Sequence, residues 1–307
     1  MKYVLLLLFS GFVLAGAASA QESRLPPEAA LFFDDFNYQS IDSPAFTDNG
    51  WIVRTADGWP GIPGTIWSPD SVSIVADPDE AGNRLVQMTA SSDGTTVHQA
   101  QFCQQRKFLS GTYASRVHFS DQPATGPDGD NIVQTFSQIS PLASDLDPDY
   151  SELDFEYLPN GGWGVSPHVL FVTSWETFRP EPHWLADNVS GSLELSFAGW
   201  HTLVLTVGDG EISYYVDGHL LDIHDGDVYP EVPMSLNYNL WFINGGQIDS
   251  DEAREYVEYV DWSFHLADTV LAPDDVETLV AAMRGASVDY VNLVPDADPV
   301  LESPCNF

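Results

Sequence analysis

The chain has 307 residues, enough for a sizeable core, and its 44% hydrophobic and 12% aromatic content excludes bulk disorder. Ten Lys plus Arg stand against 46 Asp plus Glu, a formal net charge of −36. That excess excludes nucleic acid, anionic membrane and sulfated or uronic polymers as principal partners and favours neutral or cationic ones.

In chain order, Lys2, the apolar run from Val4 to Leu14 and the small residues Ala18-Ser19-Ala20 read as a secretory signal over 1–20, which predicts a secreted, extracellular protein. The run is shorter than the roughly 18 residues a spanning helix needs, and no later stretch is long and apolar enough. From Leu31 to His265 short alternating or apolar runs are punctuated by Gly, Pro, Asn and Asp. Among them are Leu85–Met88, Tyr113–Phe119, Ile132–Phe136, His201–Val207 and Ile212–Val216 before the turn Asp217-Gly218. Such spacing predicts an all-β sandwich or jelly roll over 21–265. Asp145-x-Asp147-x-Asp149 imitates a calcium loop, but Tyr150 stands where that loop needs glycine and Pro148 stiffens it. Asn188-Val189-Ser190 is a glycosylation sequon, meaningful in a eukaryotic secretory pathway.

Beyond the strands, Pro273, Asp274 and Asp275 precede Val276, Leu279, Val280 and Met283 at helical spacing, with Arg284 and then Gly285. A short helix is expected over about 274–284, within an extension at 266–307 that is an appendage and not a second domain. The two cysteines, Cys103 and Cys305, are expected to form one disulfide that pins this extension to the body.

No G-x-S-x-G, H-E-x-x-H, phosphate loop or C-x-x-C is present, and the eight histidines lack ligand spacing. The segment Tyr150 to Leu158 stands out. On a strand, Glu152, Asp154 and Glu156 line one face while Leu153, Phe155 and Tyr157 line the other. Crowded carboxylates cannot all ionise easily, so one keeps its proton as a general acid while another stays anionic, the division that glycosidic cleavage needs. A solvated outer face is the alternative reading of the same three acids.

At these residues the sequence resembles glycoside hydrolase family 16, in the lichenase-like and xyloglucan-transglycosylase-like branch with an unbulged E-x-D-x-E strand. Phe33-Asp34-Asp35-Phe36, Gly111-x-Tyr113-x-x-Arg116, Trp200-His201-Thr202 with Tyr215-Val216-Asp217-Gly218, Pro233-Met234 with Asn239-Leu240-Trp241, and Val257-Glu258-Tyr259-Val260 match further landmarks of that family. The resemblance implies a β-jelly roll in which Glu152 is the nucleophile, Glu156 the acid/base and Asp154 the residue assisting the nucleophile. It also implies sugar contacts from Arg116, Asn239 and Trp241. Trp163, Trp175 and Trp184, outside the matched landmarks, are candidate sugar platforms. Val207 and Val172-Thr173 depart from the lichenase-like pattern and bear on substrate preference.

No cofactor is implied for the reaction. A structural calcium, common in the family, stays open because Glu258 replaces a usual Asp ligand. The expected protein is thus a monomeric retaining endo-glycosidase acting on β-1,3 and/or β-1,4 linkages of a neutral β-glucan, with a transglycosylase or a glycan-binding jelly roll as alternatives.

So acidic a surface repels itself in dilute buffer and is screened in concentrated salt, where the Debye length is about 3 Å at 1 M. A halophilic protein is expected, whose Tm rises from salt-free buffer to molar NaCl; equal Tm in the two would exclude that adaptation.

Overall fold

Alternating apolar and polar side chains fold as strands that put one set between two sheets and the other outside. The computed structural model describes residues 29–180 and 182–306, so the leader read at 1–20 lies outside the described residues. In chain order the first strands are β1 (Leu31–Asp34), β2 (Ile52–Val53), β3 (Ile66–Trp67), β4 (Val72–Ala76), β5 (Arg84–Ser92), β6 (Val97–Cys103), β7 (Gly111–Phe119), β8 (Ile132–Ile139) and β9 (Glu152–Leu158). There follow β10 (Val169–Arg179), β11 (Leu185–Glu194), β12 (Gly199–Gly208), β13 (Glu211–Val216), β14 (His219–Asp225), β15 (Ser235–Phe242), β16 (Arg254–Ala267) and β17 (Tyr290–Asn292). Among the described residues two α-helices accompany them, α1 (Pro44–Asp48) and α2 (Pro273–Gly285).

One sheet has the order β2-β6-β15-β8-β9-β10-β11, antiparallel throughout. The other is centred on β16, with β7, β12, β13 and β14 to one side and β5 with β4, then β1 with β17, to the other. The β5–β6 hairpin joins the two into a nearly closed jelly-roll sandwich. The core between the sheets is aromatic: Phe102 stacks on Tyr238 at 4.7 Å, and Phe136, Phe155, Tyr214 and Trp51 are fully buried nearby. Each such side chain contributes about 1.5–3 kcal/mol on removal from water.

The extension is more than a helical appendage. Its β17 pairs with β1 and so widens the outer sheet. Helix α2 lays Val276 and Val280 on Phe33, Val204, Trp262 and Phe264. Arg284 in its last turn donates to Asp261 Oδ1 at 2.6 Å and to Asp35 Oδ1 at 2.6 Å, an ion-pair clamp that complements the helix dipole. The Cys103–Cys305 disulfide forms, with the Cα atoms 5.8 Å apart.

Glu258 lies on the inward face of β16 with Tyr256 and Val260, fully buried, and neither carboxylate oxygen makes a well-formed hydrogen bond. Burial raises its pKa well above the ordinary carboxylate value. A carboxyl raised in the folded state stabilises the fold below its unfolded pKa and loses that contribution as pH rises through the folded one. Glu258→Gln should therefore be progressively more stable than wild type from pH 5 to pH 9. A Tm difference that stays flat or shrinks over that range would refute the assignment.

Candidate active site

Strand β9 carries the three acids, and its register is set from both sides: Asp154 faces Ser137 on β8 and Thr173 on β10. Leu153, Phe155 and Tyr157 point into the core, which sends Glu152, Asp154 and Glu156 to the outer face. There they line a cleft of two adjoining lobes, about 350 and 550 Å³, that share Glu152, Asp154, Glu156, Trp59 and Trp241. The groove runs across the strands, from Gln101 on β6 past Asn239 and Thr135 to Ser190 on β11.

Burial pushes all three carboxyls up, Glu152 to about 7, Glu156 to about 8 and Asp154 well above the carboxylate range. For Glu156 the second cause is the charge on Glu152, and Asp154 feels both glutamates. Hydrogen bonds then sort the protons. Tyr150 Oη donates to Glu152 Oε2, and Asp154, itself protonated, shares a hydrogen bond with Glu152 that favours the anion there. Trp175 Nε1 donates to Asp154 Oδ2 at 2.8 Å. The set therefore presents a stabilised anion at Glu152 and a retained proton at Glu156 near neutral pH.

Aromatic rings surround the acids. Trp163, Trp241, Trp59, Phe178 and Trp184 follow one another at centroid separations of 5.8, 6.4, 5.7 and 5.5 Å, and Trp175 closes against Trp184 at 6.2 Å. Trp59, Trp163 and Trp184 are each more than half exposed, so their faces are free to meet a flat apolar partner such as the C–H face of a sugar ring. Of the residues named from the sequence, Glu152, Asp154, Glu156, Trp163, Trp175, Trp184, Asn239 and Trp241 come together here. Trp175 has a further role as the donor to Asp154. Trp59, Phe178 and Tyr150 were not anticipated; Trp59 reaches the cleft from a loop, Phe178 shares the face of Trp175 on β10 through the register shift between Trp175 and Thr177, and only Tyr150 carried a local signal, at the same-face position two before Glu152.

Arg116 is not in the cleft, which corrects the expectation of a sugar contact. On β7 it alternates with the core residues Tyr113, Ser115 and Val117, and so emerges on the far sheet beside α2. There it donates to Asp261 at 2.6 Å and covers the Trp200 ring at 4.5 Å. The same face bears on calcium. Glu258, in the place of a usual ligand, points inward, while Asp35 and Asp261 are already neutralised by Arg284 and Arg116. These residues do not fit a calcium ion, and no group of three or more metal-binding side chains occurs among the described residues.

No family model and no curated protein matches this chain. Solved structures do. A Bacillus licheniformis β-glucanase superimposes over 77% of this chain and 97% of its own, with a TM-score of 0.53 at 17% identity. A Bacteroides ovatus mixed-linkage-glucan GH16 protein in complex with G4G4G3G product covers 76% of this chain and 98% of its own, with a TM-score of 0.57 at 15% identity. The κ-carrageenase of Pseudoalteromonas carrageenovora covers 81% and 99%, with a TM-score of 0.50 at 16% identity. At these identities the likeness is one of fold.

Removing the Tyr150 hydroxyl should raise the titration of Glu152 further, because the hydrogen bond that favours its anion is lost. The test is a carbon-detected NMR titration of Glu-labelled protein, wild type against Tyr150→Phe; an unmoved or lowered Glu152 midpoint would remove that hydrogen bond from the account.

Proposed function

We propose that this chain is a secreted retaining endo-glycosidase of glycoside hydrolase family 16 that cleaves a neutral β-glucan. The observation that carries this reading is the trio on β9, whose members face one groove and hold their protons unequally. The Cα atoms of Glu152 and Glu156 are about 13 Å apart along the strand, and the charge on Glu152 is felt at Glu156.

In the first step the Glu156 carboxyl donates its proton to the glycosidic oxygen while the Glu152 carboxylate attacks the anomeric carbon, so the C–O bond to the leaving sugar breaks as the glycosyl ester forms. Esterification removes the Glu152 charge and with it one cause of the raised Glu156 pKa, which makes Glu156 a ready base. It then takes a proton from the water that attacks the ester carbon, and Glu152 leaves as the carboxylate. Asp154, held by Trp175, supplies the hydrogen bond that steadies that anion.

The neutrality of the substrate is supported by the cleft's charge. Its lining cation, Arg54, is already engaged: it donates to Gln101 Oε1 at 2.9 Å, to the Ala56 carbonyl at 2.9 Å and to the Trp59 carbonyl at 3.0 Å, and stacks over Trp67 at 4.1 Å. A sulfate ester would therefore meet acids and indoles.

Laminarin, mixed-linkage glucan, xyloglucan and agarose, each in low and high salt, should be offered to wild type and Glu152→Gln. Wild type is expected to release shorter oligosaccharides from a neutral β-glucan, with kcat/KM roughly 10⁴-fold lower in the variant. Longer products in the presence of an acceptor would mean transglycosylation, and retention on a polymer without new ends would mean a lectin. The pH profile of kcat/KM should be bell-shaped, falling below about 7 as Glu152 protonates and above about 8 as Glu156 loses its proton. A profile flat through both limbs would contradict the assignment.

A further inference from the structure

The disulfide has a consequence for the groove. Cys103 is in register with Asn237 on β15, Asn237 with Ser137 on β8, and Ser137 with Asp154 on β9. Cys103 thus lies in the same row as Asp154, three strands away, or about 14 Å at the spacing of paired strands. Because residues two apart on a strand share a face, Cys103 is on the side of Gln101, which lines the cleft. The bond to Cys103 therefore draws segment 302–306 onto the substrate-facing side of the sheet. Pro304 lines the cleft with Gln101, Ser137, Ile139 and Tyr150. Cys305 is 1% and Ser303 8% exposed, and Leu301 bridges to Arg106, so the segment is seated rather than trailing. Beneath it the polar Asn237 is fully buried and accepts from Gln101, while its amide is satisfied by Ser235.

At the opposite end the lining reaches Asn188 and Ser190 on β11, the last strand of this sheet, whose residues are mostly exposed. A polymer laid across the strands can run on in that direction, but toward β6 it meets Pro304.

We propose that segment 302–306, held down by the Cys103–Cys305 bond, is an end wall of the substrate groove that limits how many sugar units are bound on the β6 side of the carboxylates. The inference rests on the glycosidase reading for its ligand class. It makes Pro304 a specificity-determining residue and the disulfide a positioning element, since neither touches the bond to be broken.

The test measures the affinity of glucan oligosaccharides of increasing length by calorimetry in the Glu152→Gln background, which binds without cutting. With the wall in place, affinity should stop rising at a given length. In a variant ending at Leu301 and carrying Cys103→Ser, the plateau should move to longer oligosaccharides, and the same truncation in active protein should lengthen the released products. Pro304→Gly, with the disulfide intact, should move the plateau in the same direction by less, and serves where loss of the bond unfolds the protein. Plateaus at the same length in all folded variants would overturn the wall. Binding without cleavage by wild type would instead overturn the catalytic reading and leave the length series to decide the wall on its own.

Discussion

Three carboxyl groups taken out of water on one strand cannot carry three charges, and this constraint shapes the groove. Had a free guanidinium or ammonium been nearby, it would have paired with the acids and returned them to their ordinary range. Instead the neighbours are indoles, a phenol and neutral polar side chains, and the lining arginine donates from each of its three nitrogens to acceptors other than these acids. With no cation paired to them among the described residues, protons must stay, and the hydrogen bonds from Tyr150 and within the Glu152–Asp154 pair decide where.

The scarcity of cations elsewhere belongs to the same design. Arg254 is buried against Asp130, Arg284 and Arg116 share Asp261, and Lys107 reaches Asp296 at 3.1 Å. Each of these joins segments distant in sequence, so they act in a fold that is otherwise strongly anionic as fasteners between strands, helix and extension. A single-residue slip of β9 would turn its acids inward and its Phe155 outward, which is why the aromatic packing of Phe155 against Phe136 and Tyr214 is as necessary to the site as the acids themselves.

Features that depend on alternation or local composition were legible in the sequence. The opposed faces of β9, the run Tyr113–Phe119 on β7, and a helix expected at about 274–284 and found at Pro273–Gly285 are of this kind. The pairing of Cys103 with Cys305 follows from there being no other cysteine. Arg116 was misread because residue type and motif position were weighed above strand parity: Tyr113 and Val117 in the core put Arg116 outside the sandwich, on the sheet away from the groove. Trp59 and Phe178 were unreadable for another reason. Trp59 is placed by a loop that folds over the sheet, and Phe178 shares the face of Trp175 on β10 only because the register shifts between Trp175 and Thr177; plain alternation along the chain encodes neither. The strand at Tyr290–Asn292 is short and its pairing with β1 is wholly non-local.

A groove used only to hold a glycan would be better built without such tension. Amides at 152, 154 and 156 would keep the shape, offer both donors and acceptors to hydroxyls, and avoid the repulsion and the desolvation penalty that raise all three pKa values. Acids in that setting make sense where a proton has to be given and a negative charge has to be spent on forming a bond. A strand that concentrates electrostatic cost at one place, while its other face is packed without compromise, marks that place as one where chemistry and not stability has set the residues.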